Sequence, residues 1–192
     1  MGQISISKNV SGIEGLHVIL PAVHGDNRGY FVETYNLNDL KEYGIDTVFV
    51  QDNQSMSKKG VLRGMHYQIH YPQTKLIRIL KGEVFDVAVD LRPGSKTYGK
   101  WHGEYLSAEN KKQLYIPKGF AHGFLVLSDK AECFYKCDDF YHPNDEGGFR
   151  WDDPVVSIQW PGIIKEGDEY CLKDGTKLEL SQKDSILPFL DK

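Results

Sequence analysis

Apolar and polar residues alternate with a period of two through much of the chain between residues 46 and 141. Leu76 to Leu80 and Val84 to Leu91 show this pattern, and Lys81-Gly82 between them is typical of a turn. Similar runs recur about every ten residues, as in a sandwich or a small barrel. The pattern therefore predicts a mainly β fold in which each strand points one face toward a core.

The N-terminal part predicts a strand and a helix. Gly29 to Asn36 is rich in aromatic and β-branched residues, and His24 to Arg28 before it is typical of a turn. The segment LNDLKEYG predicts a short helix, with Asn36 or Asn38 as its N-cap and Gly44 as its end. Helices are therefore expected to be few and short.

The C-terminal part changes character. Asp152 to Pro161 is predicted to be extended and bounded by proline, and Ile163 to Glu179 is predicted to be a polar surface insertion. The closing stretch ELSQKDSILPFLDK contains the pattern of a capped helical turn. Thr47 to Ser57, at the other end of the barrel region, is predicted to be a strand.

Composition narrows the function classes. The net charge of −4 and the lack of a basic stripe argue against nucleic acid and anionic membranes as partners. No apolar run has membrane-spanning length, and the N-terminus lacks a signal-peptide core, so a cytoplasmic protein is expected. Cys133, Cys137 and Cys171 are an odd number, which favours free thiols. Cys133 and Cys137 lack a second pair that would complete a metal site.

Candidate chemistry concentrates between Gly60 and Gly82. The polar and basic side chains of this segment include Arg63, His66, Gln68, His70, Lys75 and Arg78. A solvated edge strand with scattered charges is one interpretation of them. The other is that His66 and Lys75 converge inside a barrel. A His can take a proton from a carbon next to a carbonyl, and a Lys can then stabilise the enolate oxygen.

Two half-motifs, one around His66 and one around His122 in PKGFAH, resemble those of the cupin superfamily. The resemblance implies a cupin-type double-stranded β-helix, or jelly-roll barrel, with a few short helices. Metal-binding cupins have a second His and a Glu where this chain has Gln68 and, nearby, Lys75. An ammonium group repels a divalent cation, so no metal and no other cofactor is expected.

Longer blocks narrow the resemblance. The sequence is similar to the dTDP-4-dehydrorhamnose 3,5-epimerase family in DNRGYFVETYN, FVQDNQSMSKKGVLRGMHYQ, KLIRILKGEVFDVAVDLRPGSKTYGKW, IPKGFAHGFLVLSD, YKCDDFYHP, WDDPVVSIQWP and LSQKD. These blocks follow one another from about residue 26 to residue 188. The resemblance implies epimerisation of a dTDP-linked 4-keto-6-deoxy sugar at C3 and C5.

The resemblance also implies roles for five residues around the sugar. His66 would be the general base, Asp184 its orienting carboxylate, Tyr135 the proton donor and Lys75 the enolate-stabilising cation. His122 would line the sugar pocket. Without the resemblance, each residue has an ordinary structural interpretation. Asp184 would be a helix cap or a solvated charge. Tyr135 would be a strand tyrosine with its hydroxyl at the surface, and His122 would be a neutral histidine hydrogen-bonded within the barrel. The stretch from Gly162 to Leu180 is longer than expected before the LSxKD block.

The family resemblance also implies which residues contact the nucleotide part of the substrate. Arg63 would pair with a phosphate through its guanidinium fork. The other positions implied to contact the ligand are Arg28, Glu33, Gln51, Asp52, Asn53, Tyr141, Glu146 and Lys183. Tyr141 could equally be a core residue.

A single domain over residues 1–192 is expected, with a barrel over about 58–145 and a segment 146–192 that closes the site. The resemblance implies a homodimer in which N-terminal strands within 1–57 are exchanged, so that Arg28 and Glu33 reach the partner's ligand. Three alternatives stay open: a single-carbon epimerase of another nucleotide sugar, a metal-dependent cupin oxygenase or isomerase, and a non-catalytic sugar-nucleotide-binding cupin.

Overall fold

The computed structural model describes residues 3–190, which fold into fifteen strands and two short α-helices. The strands are β1 (Ile4–Lys8), β2 (His17–Pro21), β3 (Val23–Asp26), β4 (Gly29–Val32), β5 (Gln51–Lys58), β6 (Leu62–Gln68), β7 (Lys75–Lys81), β8 (Glu83–Asp90), β9 (Trp101–Ser107), β10 (Gln113–Ile116), β11 (Phe120–Val126), β12 (Lys130–Cys137), β13 (Glu146–Gly148), β14 (Ile163–Glu166) and β15 (Glu169–Leu172). The helices are α1 (Leu37–Glu42) and α2 (Gln182–Ser185). The predicted mainly β fold is confirmed.

Two antiparallel sheets form the body of the protein. One has the strand order β1-β2-β10-β7-β12-β5, and the other has the order β13-β6-β11-β8-β9. Their strands are not hydrogen-bonded to each other, so the two sheets face each other as a jelly-roll sandwich that stays open at the edges. Strands β6, β7, β11 and β12, which carry the candidate residues His66, Lys75, His122 and Tyr135, are all inner members of these sheets. Neighbours on both sides fix their register.

The main core lies between the sheets. Its fully buried members include Ile77 from β7, Leu114 from β10, Val84 from β8 and Leu106 from β9. These are the positions that the alternating pattern points to one face of each strand. Tyr135 packs against the edge of this core, which holds the phenol ring in place.

A second apolar cluster covers the outer face of the β6-β11-β8 sheet with the C-terminal part of the chain. Phe149, Trp151 and Trp160 are buried there, together with Leu172 of β15. The predicted polar insertion at 163–179 is therefore wrong for the hairpin β14-β15, whose second strand packs into this cluster. The hairpin was missed because each strand has only four residues and its apolar positions do not alternate with polar ones.

The N-terminal region differs from its predicted pattern in three places. β1 is an edge strand that was not predicted, and β3 occupies most of the predicted turn His24–Arg28, leaving only Asn27 and Arg28 at the tip of the β3-β4 hairpin. β4 ends at Val32, four residues before Asn36. The helix α1 is confirmed, and the Asn36 side chain caps it by accepting from the backbone N–H of Asn38.

Two further expectations concern the whole chain. Cys133, Cys137 and Cys171 are free, as predicted, and all three are buried. Among residues 3–190, no helix combines the length and the apolar character that crossing a bilayer requires.

Strands β6 and β11 approach each other closely at Gly64 and Gly123. A Cβ on Gly123 would lie 2.7 Å from the carbonyl oxygen of Arg63 and 2.6 Å from Met65 Sδ. We expect Gly123→Ala to lower the free energy of unfolding by about 1–3 kcal/mol, because the backbone of β6 must shift. Urea denaturation measures the loss. Gly25→Ala is the matched control, since its Cβ would meet nothing closer than 3.5 Å; equal losses in both variants would contradict the prediction.

Candidate active site

One cavity of about 420 Å³ opens between the two sheets. Its wall comes from β5, β6, β7, β11 and β12, and from the chain that leads into α2. The polar side chains that line it are Ser55, Arg63, His66, Lys75, His122, Tyr135, Glu179, Ser181, Lys183 and Asp184. The four predicted catalytic residues therefore line one cavity.

Sheet register explains why side chains from distant parts of the chain meet here. His66 of β6 is the direct cross-strand partner of His122 on β11. In the facing sheet, Lys75 of β7 pairs with Cys137 on β12, two residues from Tyr135, so these side chains point to the same face.

His66 is held by a buried carboxylate. Its Nε2 lies 2.6 Å from Oδ1 of Asp184, which is only 3% exposed. Burial raises the pKa of Asp184, but hydrogen bonds from His66, the Gly64 backbone and Ser181 outweigh it, so the net pKa is lowered. An ionised carboxylate only accepts, so Nε2 carries the proton and Nδ1 of the neutral ring is left as an acceptor.

The path to Asp184 runs through a short parallel contact with the start of β6. Leu62 N–H donates to the Glu179 carbonyl at 3.0 Å, and Glu179 N–H donates to the Gly60 carbonyl at 2.8 Å. This contact carries the chain from β15 to α2, where the Ser181 hydroxyl accepts from the Asp184 backbone N–H. The long segment before the LSQKD block therefore ends with Asp184 beside His66.

A second carboxylate lies on the other side of the His66 ring. Glu146 Oε1 is 3.9 Å from His66 Nδ1. The other carboxylate oxygen, Oε2, accepts from the Tyr141 hydroxyl at 2.8 Å and pairs with the Lys183 ammonium at 2.5 Å. Burial raises the pKa of Glu146, but these two partners and His66 outweigh it, so the pKa is lowered.

Lys75 has no counter-ion in the described part of the chain. No side chain among residues 3–190 forms a hydrogen bond or an ion pair with its ammonium group, which lies 5.9 Å from the centroid of the Tyr135 ring. Burial lowers the pKa of Lys75, and the more distant Cys137, Asp86 and Glu146 counteract this only in part. A buried cation of this kind interacts strongly with any negative charge that develops in the cavity.

Tyr135 supplies a phenol to the same cavity. Its burial, followed by the nearby Cys137 and Cys133, raises the pKa of the hydroxyl to about 12. The phenol is therefore protonated at neutral pH and can act as a proton donor.

Some of the predicted nucleotide-binding residues lie at or near the cavity, and others point away from it. Gln51 and Asn53 lie on the inward face of β5, where Gln51 Nε2 donates to Asn53 Oδ1 and Gln51 Oε1 accepts from the Tyr141 backbone N–H. Asp52 lies on the opposite face of the strand and pairs with Lys136 at 2.9 Å. Arg63 lines the cavity and donates from Nε to the Ser57 hydroxyl at 3.0 Å, and its Nη2 makes a long contact of 3.5 Å to the Met56 carbonyl.

Arg28 and Glu33 are not brought to the cavity of their own chain. Arg28 lies at the tip of the β3-β4 hairpin, where it pairs with Asp26 at 2.6 Å. Glu33 accepts from the Asn36 side chain at 3.3 Å. The described residues also contain no group of three or more His, Cys, Asp or Glu side chains placed to hold a metal ion.

Comparison with known proteins places this geometry in a family. The sequence profile described as dTDP-4-dehydrorhamnose 3,5-epimerase matches residues 11–192. The enzyme of that name from Salmonella typhimurium is 47% identical over 183 residues, covering 94% of this chain and 93% of the relative. The chain belongs to the dTDP-4-dehydrorhamnose 3,5-epimerase family. The resemblance seen in the sequence blocks is thereby confirmed.

Solved structures agree with this family and show its range. The crystal structure of dTDP-6-deoxy-D-glucose-3,5-epimerase from Legionella pneumophila in complex with dTDP-4-keto-L-rhamnose has a TM-score of 0.84 and 45% identity, covering 98% of this chain and 100% of that one. ChmJ, a 3'-monoepimerase from Streptomyces bikiniensis in complex with dTDP-quinovose, has a TM-score of 0.79 and 31% identity, covering 98% and 87%. The fold therefore occurs in epimerases of one and of two carbons.

Sequence reasoning in this epimerase-family chain missed Asp86, which lies behind the cavity wall, and also Ser55, Glu179 and Ser181, which line the cavity. Asp86 is fully buried on β8, and both its carboxylate oxygens lie 2.9 Å from His122 Nε2. An acidic residue inside the apolar run VFDVAVDL was the available signal, since a buried carboxylate needs a partner.

The raised pKa of Tyr135 predicts a distinct alkaline titration. In an ultraviolet titration of the folded protein, Tyr135 should contribute a phenolate component near pH 12, and Tyr135→Phe should remove that component. Because the folded state holds this proton more tightly than the unfolded chain, Tyr135 reduces stability as the pH rises above about 10. Tyr105→Phe, an exposed change on β9, should leave the component unchanged; its persistence in Tyr135→Phe would contradict the assignment.

Proposed function

We propose that this protein epimerises dTDP-4-dehydro-6-deoxy-D-glucose at C3 and C5 to give dTDP-4-dehydro-L-rhamnose, in dTDP-L-rhamnose biosynthesis. The observation that carries the proposal is the 2.6 Å contact between His66 and Asp184 in a cavity that also holds Lys75 and Tyr135. The named activity of the relatives with this fold supports the same substrate.

The first step is proton abstraction next to the 4-keto group. His66 accepts the C3 proton at Nδ1, since Nε2 already donates to Asp184. The C3–H bond breaks, its electron pair forms the C3–C4 double bond of an enolate, and the 4-keto oxygen becomes negative. Asp184 orients the ring and stabilises the imidazolium by its negative charge.

Lys75 stabilises the enolate. Its ammonium group has no partner among the described side chains, so the enolate oxygen at C4 meets a preorganised charge that needs no ion pair broken first. The same interaction serves both carbons, because C3 and C5 flank the same keto group.

Tyr135 completes the inversion. It transfers its hydroxyl proton to C3 from the face opposite His66, the keto group re-forms, and a phenolate is left. His66 and Tyr135 then repeat the two transfers at C5, after the imidazolium has lost a proton and the phenolate has gained one from solvent. The overall reaction is an isomerisation, so the proposal requires no metal and no nicotinamide.

The nucleotide would lie toward the mouth of the cavity. Arg63 and Lys183 line the cavity and provide positive charge for the diphosphate, for which a guanidinium fork is well suited. His122 lines the sugar pocket, held by Asp86. Gln51 and Asn53, with Tyr141 at the rim, are the proposed contacts to the dTDP end. Asp52 faces outward in the single chain, so its predicted contact stays a prediction.

A homodimer with exchanged N-terminal strands is part of the proposal. The β3-β4 hairpin carries Arg28 at its tip, and its aromatic side chains Tyr30 and Phe31 are exposed in the single chain. Such a hairpin can reach the site of a second copy, which would bring Arg28 and Glu33 to the partner's ligand. The free thiols fit a reducing cytoplasm, where the nucleotide sugar would be used.

Three other functions would be separated by one experiment. The substrate is incubated with the protein in deuterated buffer, with and without EDTA, and proton NMR follows the C3 and C5 signals. We expect both signals to disappear. Loss of one signal would indicate a single-carbon epimerase, as ChmJ shows for this fold. Activity that EDTA abolishes would indicate a metal-dependent cupin, and dTDP binding without exchange a binding protein.

In the same assay, His66→Asn should abolish exchange at both carbons, a loss of at least about 1,000-fold, because no other group accepts the proton. His102→Asn, a change on β9 outside the cavity, is the control and should leave exchange unchanged. Retained exchange at both carbons in His66→Asn would remove this residue as the base.

Mixed dimers test the exchanged hairpin. Arg28→Ala and His66→Asn chains carrying different tags are co-expressed, and the heterodimer is purified. If Arg28 serves the partner's site, one of the two sites regains both native residues, so the heterodimer should show about half the activity of the unmodified dimer. Each homodimer should be nearly inactive. A heterodimer as inactive as its parents, or a monomer by sedimentation, would contradict the exchange.

A further inference from the structure

The His66 ring lies between two carboxylates, one at each nitrogen. Asp184 Oδ1 lies 2.6 Å from Nε2, and Glu146 Oε1 lies 3.9 Å from Nδ1. The two oxygens of Glu146 are differently engaged. Oε2 accepts a hydrogen bond from the Tyr141 hydroxyl and pairs with the Lys183 ammonium, whereas Oε1 faces the imidazole. Glu146 thus lies beside the nitrogen that receives the substrate proton.

The two carboxylates differ in their access to water. Asp184 is 3% exposed, and its hydrogen-bond partners are His66, the Gly64 backbone and Ser181 within the site. The Glu146 side chain is 18% exposed and is joined to Lys183, whose side chain is 52% exposed. Tyr141, its other partner, is 48% exposed. The His66 ring itself is 28% exposed, and it lines the cavity that the sugar would fill. With that cavity occupied, Glu146 rather than Asp184 offers the proton a path to solvent.

Double epimerisation requires such an exit. After the first inversion, the imidazolium holds the C3 proton and cannot accept the C5 proton until it is neutral again. We propose that Glu146 is the proton outlet of His66, taking the Nδ1 proton after each abstraction and releasing it to water at the rim, where Tyr141 and Lys183 border the proposed nucleotide site. This inference rests on the proposed function and assigns Glu146 a positioning and relay role.

The step balances without a further reactant. The Nδ1–H bond breaks, an O–H bond forms on Glu146 Oε1, and His66 returns to the neutral ring with its proton on Nε2. The carboxylic acid then gives the proton to water and becomes a carboxylate again. A contact of 3.9 Å is longer than a hydrogen bond, so the transfer crosses one bridging water or follows a closure of about 1 Å.

The lowered pKa of Glu146 fits this role. Its cationic and phenolic partners keep the carboxylate ionised at neutral pH, so it is ready to accept. The same partners make the protonated form short-lived, which favours onward release to water. Lys183 and Tyr141, both on Oε2, hold the carboxylate so that Oε1 stays aimed at the ring.

The test measures where the abstracted proton goes. Protonated substrate is incubated in deuterated buffer at saturating concentration, and deuterium at C3 of recovered substrate is measured per product formed. In the unmodified protein, His66 exchanges its proton before the reverse step, so recovered substrate gains deuterium. In Glu146→Gln the proton is retained and returned to C3. We expect this ratio to fall at least about tenfold and the singly epimerised sugar to accumulate.

A matched control comes from a similar cluster elsewhere. Glu104 on β9 also contacts a lysine and a histidine, with Lys112 at 2.7 Å and His102 at 3.5 Å, but it lies outside the cavity. Glu104→Gln should give the exchange ratio of the unmodified protein. Formate added to Glu146→Ala should restore the ratio, because a small acid can replace the missing carboxyl group, which a merely structural loss would not permit.

The outcomes distinguish a failure of the proton outlet from a failure of the proposed function. An unchanged ratio in Glu146→Gln, or a lowered ratio in Glu146→Ala that formate fails to restore, would overturn the outlet while leaving the epimerase activity in place. No exchange at either carbon in the unmodified protein would overturn the proposed function itself, and the outlet with it. A lowered ratio that formate restores, with Glu104→Gln unaffected, supports both.

Discussion

A buried carboxylate, Asp184, meets the ring of His66 at 2.6 Å although 118 positions separate the two residues in the chain. Removing a carboxylate from water costs several kcal/mol unless hydrogen bonds replace its hydration. Here the replacements come from β6 and from Ser181 before α2. The contact therefore forms only when the C-terminal segment is docked, and the apolar cluster of Phe149, Trp151 and Trp160 on the outer sheet face holds it there.

The sandwich also tolerates Lys75, a cation that has no counter-ion among residues 3–190, and sheet register explains how. The cross-strand partner of Lys75 is Cys137, a buried thiol whose pKa is raised to about 11 by burial, so it stays neutral. A carboxylate at that position would pair with the ammonium and neutralise it. With a neutral thiol there, the charge of Lys75 remains available to an anion in the cavity, at some cost in stability.

The sequence predicted the inner strands of the sheets better than the short strands at the periphery. Alternation located β7, β8 and β12, because buried inner strands carry the clearest pattern. It missed β1 and misplaced β3, which are short and contact little of the core. The site was predictable mainly through family blocks, since pairs such as His122 with Asp86 depend on long-range register. The place of Glu146 beside His66 likewise follows from the pairing of β13 with β6, which local sequence does not encode.

The two His–Asp pairs of the cavity are built differently, and the difference fits their proposed tasks. Asp86 and His122 lie on adjacent inner strands, β8 and β11, in an uninterrupted ladder that fixes both side chains. Asp184 instead lies on a four-residue helix near the end of the chain, held by a short contact with β6. A rigid pair suits a wall that shapes the sugar pocket. The pair that serves the base is instead completed by the C-terminal segment, whose docking brings Asp184 to the ring and fixes the orientation that proton abstraction needs.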